Sequence, residues 1–446
     1  MKPKILATIS GAILLMVIAL HYGYPLVTAD TAAYINFGFH FSMPVDRPPF
    51  YGVFIRHSSL WASLWYPVLA QSLIVSFLLI RYIRHLYGAE PGLRHLLLNL
   101  LIIASCTCVS WVSSQLMPDI FGAILLLAVM LFYHEKDTSL RTRILYIAII
   151  ACCTLVHNSH FLILAGFAGI ILLHSLYLRH KARIIRSLTL ISVSVISFLS
   201  LCTLNKIYNN TFTFSRGSHV FMMSKLAETG ILDQYLEDEC PTHNYSLCQF
   251  KGNFPDNAVG FLWTMDGPLY QTGGWHESKP QYDSIIHGVF TSPKYLSLFA
   301  QKSAISTLRQ LSQVQVGQPD GNQARFVHDA ILAFFPHELK EYRTGAQITS
   351  TKSIDPYNNF YILVLLASSA GVLIIAGVSP HKRQLLVTYA FLLLFLFCNA
   401  WVTATFGNVW DRLNNRVIWL LPATNIIVLL RHAREKWLRN PEINKN

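Results

Sequence analysis

Charge is what this sequence has least of. Only 13% of its 446 residues are Asp, Glu, Lys or Arg, against 53% that are hydrophobic. A soluble domain carries about twice that share of charge, so the composition excludes one. Zinc-finger spacing, a P-loop and a Rossmann glycine motif are all missing. No internal repeat is evident, so an inverted-repeat transporter gets no support. Acids are scarcer than bases, 23 to 35, for a net charge of +12. A surplus of that size could serve nucleic acid, but the basic residues fall in short clusters between long apolar runs. That is the pattern of cytoplasmic loops under the positive-inside rule, and no nucleic-acid partner is expected. Cysteine is sparse too. Six of the eight lie in apolar segments, as small hydrophobes. The other two, Cys240 and Cys248, lie in a long polar loop and are expected to form a disulfide if that loop is outside the cytoplasm.

Apolar runs of membrane-crossing length recur along the chain. They predict about ten spans, at 5–26, 60–80, 96–112, 120–132, 144–156, 161–177, 184–204, 360–378, 385–401 and 417–430. The fourth and fifth are short for a crossing of ~20 residues. Lys2 and Lys4 precede the first run, and Val27-Thr28-Ala29 looks like a signal-peptidase site. The run exceeds a signal core of roughly 7–15 residues, so it reads as the first span. With the N-terminus inside, the cytoplasmic pieces hold 19 Lys or Arg against five Asp or Glu, whereas the loop 205–357 holds 12 against 14. Both termini are therefore expected in the cytoplasm and the long loop outside it. The expected fold is all-α and polytopic. About seven helices with functional outer loops fill 1–204, and an extracytoplasmic, mainly helical loop domain fills 205–357. About three helices and a basic tail fill 358–446. Within the loop, 220–236, 295–314 and 325–342 have helical periodicity.

The remaining charges all fall at the outer face: Asp30, Asp46, Asp119 and Asp411, with Arg47, Arg56, Arg412 and Arg416. Ionisable groups at a membrane boundary are costly unless paired or solvated, so they mark candidate sites. The bland alternative is ordinary interfacial charge.

The first outer loop reads Thr28-Ala29-Asp30-Thr31-Ala32-Ala33-Tyr34, then Asp46-Arg47-Pro48-Pro49-Phe50-Tyr51. The second reads Leu116-Met117-Pro118-Asp119-Ile120-Phe121. In order and placement these resemble the GT-C superfamily of membrane glycosyltransferases, in the branch of the protein mannosyltransferases and the lipid A aminoarabinose transferase. There an acid follows the first helix with a Tyr a few positions on, and a charged pair precedes Pro-Pro and an aromatic. Pro-Asp often leads into the fourth helix. The family often has two acids in a row at the first position; here Thr31 follows Asp30. The segment from Trp410 to Trp419, with Arg412 and Arg416 four residues apart, is similar to the Arg-rich start of a late helix in several GT-C proteins. The resemblance covers the first seven spans and the place of the long loop.

It implies a transferase, in a bacterial inner membrane, that moves a sugar from a polyprenyl-phosphate carrier. The acceptor, on the outer face, would be a surface glycan, a glycolipid or a protein. Such chemistry needs a base for the acceptor hydroxyl and cations for the departing phosphate. Asp30 is the expected base of a single inverting displacement, with Asp46, Arg47 and Asp119 beside it. Asp119 would orient the acceptor or join Asp30 at a divalent cation, Mg or Mn; its bland alternative is helix capping. Tyr34, Arg56, Arg412 and Arg416 are candidate substrate contacts, Arg416 for phosphate; the alternative for the late arginines is snorkelling to headgroups. His157 and His160, three apart, would touch phosphate or metal, or sit as plain interfacial histidines. Trp263 and Trp275 suit sugar or lipid recognition, or ordinary core packing. The rivals are an O-antigen polymerase or ligase, which would rely on loop arginines and a histidine, and a lipid-linked glycan transporter, whose charges should lie mid-span.

Overall fold

A computed structural model describes residues 2–41, 43–88, 90–135, 138–316 and 324–439; the tail after Arg439 lies outside them. Each expected apolar run is helical. The first run is α1 (Lys2–Leu15) and α2 (Val17–Tyr22), interrupted at Met16. Two helices then form in the segment expected as the first outer loop, α3 (Ala29–His40) and α4 (Phe50–Ser58). The bundle continues with α5 (Trp65–Tyr87), α6 (Leu93–Cys106), α7 (Val109–Ser113), α8 (Phe121–His134), α9 (Leu140–Val156), α10 (Asn158–Tyr177) and α11 (Lys181–Asn209). The long loop contributes α12 (Ser218–Glu228), α13 (Ile231–Glu239), α14 (Lys279–Thr291), α15 (Pro293–Ser312), α16 (His328–Phe334) and α17 (Leu339–Thr344). The chain ends in α18 (Asp355–Val378), α19 (Lys382–Phe406), α20 (Asp411–Ile418) and α21 (Leu420–Arg439). Among the described residues the one extended pairing is an isolated bridge between Leu26 and Gln115.

The protein is an integral membrane protein. Among the described residues six helical segments are long and apolar enough to cross a membrane, and α1, α6 and α8 are apolar but shorter. Several bounds differ from the expected ones. The second span was expected at 60–80, but α5 starts at Trp65, because Leu60 and Trp61 adopt left-handed backbone with φ near 53° and 59°. The third run stops at Thr107. In the loop, Gly230 in left-handed conformation divides 220–236 into α12 and α13, and Pro336 divides 325–342. Hydropathy sees none of these breaks, since each is a backbone event within or beside an apolar stretch.

Helix α8 sits at the centre. Every residue from Phe121 to Tyr133 is buried, as a helix that is apolar all round requires. Leucines and isoleucines on outer helices, such as Leu173, Ile196, Leu363 and Leu373, remain exposed, as lipid-facing positions do. The long loop divides its packing. Residues from Val220 to Tyr295 build a second core of their own, while Val316, Ile331, Phe335 and Tyr342 join the core of the bundle. Cys240 and Cys248 are joined in a disulfide within that second unit.

The segment between the first run and α5 is a helical hairpin rather than an irregular loop. Thr28 and Thr31 cap α3 reciprocally. α3 and α4 then cross backbone to backbone at two glycines. A Cβ on Gly38 would lie 2.4 Å from the Gly52 carbonyl oxygen, and one on Gly52 would lie 2.6 Å from the Tyr34 carbonyl oxygen. Only glycine fits there. Gly52→Val should therefore spread the hairpin, whose connection carries Asp46 and Arg47, and lower stability by about 1–3 kcal/mol, as overpacking does. An unchanged unfolding midpoint in detergent would refute this contact.

Candidate active site

Three chain ties bring distant loops to one place. Leu26 exchanges backbone hydrogen bonds with the second outer loop, its N–H donating to Ser114 (3.0 Å) and the Leu116 N–H donating to its carbonyl (2.8 Å). The Thr31 hydroxyl donates to the Leu116 carbonyl at 3.1 Å. Gln347 donates to the Val27 carbonyl and accepts from the Val27 N–H. Thr31, which stands where the family often has a second acid, is thus wholly buried and used to join the Asp30 loop to the Asp119 loop.

Asp30 lies in the first turn of α3 between two arginines. One carboxylate oxygen accepts from Arg47 at 3.1 Å. The other accepts two N–H groups of Arg412, both at 3.0 Å. Asp46 holds the Arg47 fork through Nε at 3.0 Å and Nη2 at 2.5 Å, and the Arg47 guanidinium lies 5.2 Å from the Tyr34 ring centre. The Tyr34 ring meets Tyr51 edge-on at 5.1 Å. Burial by itself would raise the Asp30 carboxyl; Arg412 and Arg47 outweigh it and hold the group at about 2.

Asp119 is buried at the start of α8, and its Oδ1 has no hydrogen-bond partner. The charges that act on it are Arg412, Arg416 and Asp30. Arg416 is fully buried. It reaches into the bundle because Gly122 on α8 has no side chain: a Cβ there would lie 3.2 Å from the Arg416 stem. Its Nε and Nη2 both donate to Asn399 Oδ1, at 3.0 and 2.8 Å, and Nη2 also donates to the Ser159 hydroxyl at 3.0 Å. No carboxylate pairs with it among the described residues, and Nη1 has no partner. A buried cation held only by an amide and a hydroxyl is incompletely compensated.

Ser159 links Arg416 to the histidine pair. Its N–H donates to His157 Nδ1 at 3.1 Å, and the two imidazoles lie 5.1 Å apart. Burial first, then the Arg416 charge, holds the His157 imidazole well below its ordinary range, so it is neutral. His160 donates from Nδ1 to the Cys153 carbonyl at 2.8 Å, which leaves Nε2 buried without a partner.

The remaining expected site residues lie apart from this cluster. Arg56 donates to the Gly38 carbonyl and stacks over Phe41 and Trp61, at 4.5 and 4.6 Å; it does not contact Asp30. Trp263 and Trp275 pair at 5.5 Å in the loop domain. Trp275 packs on Gly217, whose N–H donates to the Val45 carbonyl at 2.9 Å, so the pair sits beside the Asp46 segment. Asp411 accepts from the Gln315 N–H and secures the loop over α20.

The residues present do not fit the divalent cation expected at Asp30 and Asp119. Both Asp30 oxygens are taken by guanidinium groups, and Arg47, Arg412 and Arg416 surround the place with positive charge. Among the described residues no three His, Cys, Asp or Glu side chains converge as a ligand set. The arrangement instead suits an anion. Asn399 and Ser159 were not foreseen as partners of Arg416; the one available signal was an Asn in the midst of the apolar run of α19.

The chain is similar to ArnT. Two solved structures of that protein from Cupriavidus metallidurans align with it, one bound to undecaprenyl phosphate and one in the apo state. The first is 12% identical, covers 97% of this chain and 78% of its own, and has a TM-score of 0.34; the second gives 12%, 95%, 77% and 0.33. No family model and no curated protein matches. A likeness this distant assigns the chain no activity.

Proposed function

We propose that the chain is a glycosyltransferase that moves a sugar from a polyprenyl-phosphate carrier to an acceptor at the outer face of a bacterial inner membrane. The observation that carries this is Arg416, a buried guanidinium with an open donor and no paired carboxylate among the described residues, next to two further arginines. Such a group calls for an anion, and a planar fork suits phosphate. The arginines would hold the phosphate where negative charge develops as the glycosidic bond breaks. The acceptor oxygen attacks the anomeric carbon, the carbon–oxygen bond to phosphate breaks, and the hydroxyl proton passes to Asp30. The anomeric centre inverts. Arg47 and Arg412 clamp Asp30; a phosphate competing for those guanidinium groups would release the carboxylate and make it more basic. Asp119, with a free oxygen, would orient the acceptor hydroxyl, and the Trp263–Trp275 pair would offer an aromatic face to the acceptor. The acceptor is a glycan, a glycolipid or a protein.

Purified protein offered a panel of polyprenyl-phosphate sugars should release polyprenyl phosphate from at least one member when acceptor is present. Inactivity toward every member, together with polymerisation of a diphosphate-linked glycan, would overturn this reading. The orientation has its own test, motivated by 19 basic against five acidic residues in the assigned cytoplasmic pieces. A reporter fused after residue 446 should be cytoplasmic, and one inserted within 205–357 should be exported. Both on one side would sink the topology.

A further inference from the structure

The end of the bundle opposite the Asp30 cluster holds a cavity of about 700 Å³. It lies where α5, α8, α11 and the start of α19 come together. Its charged and polar lining includes His85, His134, Arg183, His381, Arg383 and Gln384, and among the described residues no carboxylate lines it. Among the described residues Arg183 and Arg383 make no side-chain hydrogen bond or ion pair, and His134 Nε2 is buried without a partner. Two nearby acids among the described residues, Glu135 and Glu435, are already engaged. Glu135 pairs with Arg81 at 2.5 Å and accepts from Tyr146 at 3.0 Å, and Glu435 accepts from Arg431 at 2.8 Å with His381 at 3.8 Å. Arg183 and Arg383 thus face one chamber whose lining has no carboxylate among the described residues, and two like charges so placed repel each other unless an anion binds.

The cavity continues past Pro380 and His381 into a second groove between α18, α19 and α21, whose wall is Ile375, Leu385, Val428 and Leu429 and whose edge carries the Arg431–Glu435 pair and His432. A basic chamber joined to an apolar groove has the chemistry of a phosphate headgroup and its acyl chain. We propose that this is a second anion site, distinct from the Asp30 cluster, and that it takes a phosphate group at the opposite membrane face. It does not depend on the transferase reading. The phosphate can come from a lipid or from free phosphate.

The test uses the full chain in uncharged detergent, with thermal unfolding read against added dioctanoyl phosphatidic acid, dioctanoylglycerol or inorganic phosphate. Phosphatidic acid should raise the midpoint of the native protein, and dioctanoylglycerol should not. Arg183→Gln/Arg383→Gln should weaken the apparent affinity by about tenfold or more, as loss of charge-assisted contacts does. Arg383→Gln alone removes an exposed side chain, keeps the fold and should weaken it severalfold. Arg94→Gln/Arg141→Gln removes two exposed cations outside the cavity and should leave it unchanged. Binding of inorganic phosphate as tight as that of phosphatidic acid would identify free phosphate as the ligand, and binding of the lipid alone would identify the headgroup. Equal affinity in the native and Arg183/Arg383 proteins, equal loss in the control pair, or no shift with either phosphate compound would overturn the site.

Discussion

Asp30→Asn is expected to fold and to bind the donor but to lose turnover by ~10²–10⁴-fold, the usual contribution of a general base. The amide is nearly isosteric, and its oxygen still accepts from one of the two guanidinium groups, but it takes no proton. The pH dependence separates this role from simple support of the arginines. Arg412 and Arg47 hold Asp30 at about 2, so it is ionised throughout the physiological range. Its depressed value means that the acid limb of kcat/KM, which reports the free enzyme, falls near pH 2 and is not seen between pH 4 and 7. In kcat, which reports the donor-bound enzyme, phosphate takes up the arginines and the limb moves up toward the ordinary carboxylate value of about 4. If Asp30 only positioned Arg47 and Arg412, Asn would raise KM and leave kcat intact. Normal turnover in the variant would end its assignment as base.

Arg416→Gln should bind the polyprenyl-phosphate donor ~10–100-fold more weakly, the range expected when a hydrogen bond to a charged group is lost. It should not unfold earlier than the native protein. Gln can still donate to Asn399, and the substitution removes a buried charge to which no carboxylate is hydrogen-bonded among the described residues, Asp119 acting on it only at a distance. A residue kept for structure would behave in the opposite way, with lower stability and unchanged affinity. Measuring donor affinity and unfolding midpoint on the same preparation therefore decides between the two roles. A destabilised variant with native affinity would remove Arg416 from the phosphate site.

The charges of this site were legible in the sequence because they stand where charge is scarce. Asp30, Arg47, Asp119, Arg412 and Arg416 interrupt a chain that is otherwise apolar or peripheral, and at a membrane boundary each has to be compensated. The disulfide was legible for a related reason: two cysteines alone share the polar loop. The partners were less legible. Nothing in spacing says that Thr31 would join its loop to Leu116, or that Gly122 would open a path for Arg416. Arg56 looked like its neighbours in sequence, yet it stacks on Phe41 and Trp61 instead.

Hydropathy and charge asymmetry by themselves determined that this chain is an all-helical membrane protein with one long polar loop, because the cost of exposing polar backbone or charge to lipid acts on every segment locally. Only the tertiary structure decided which charges face one another. Asp30 and Arg412 are 382 residues apart in sequence and 3.0 Å apart in space. What brings them together is the Gly38–Gly52 crossing, the Leu26–Gln115 bridge and the packing of α20 against α8, and such contacts between distant segments leave no periodic trace in the chain.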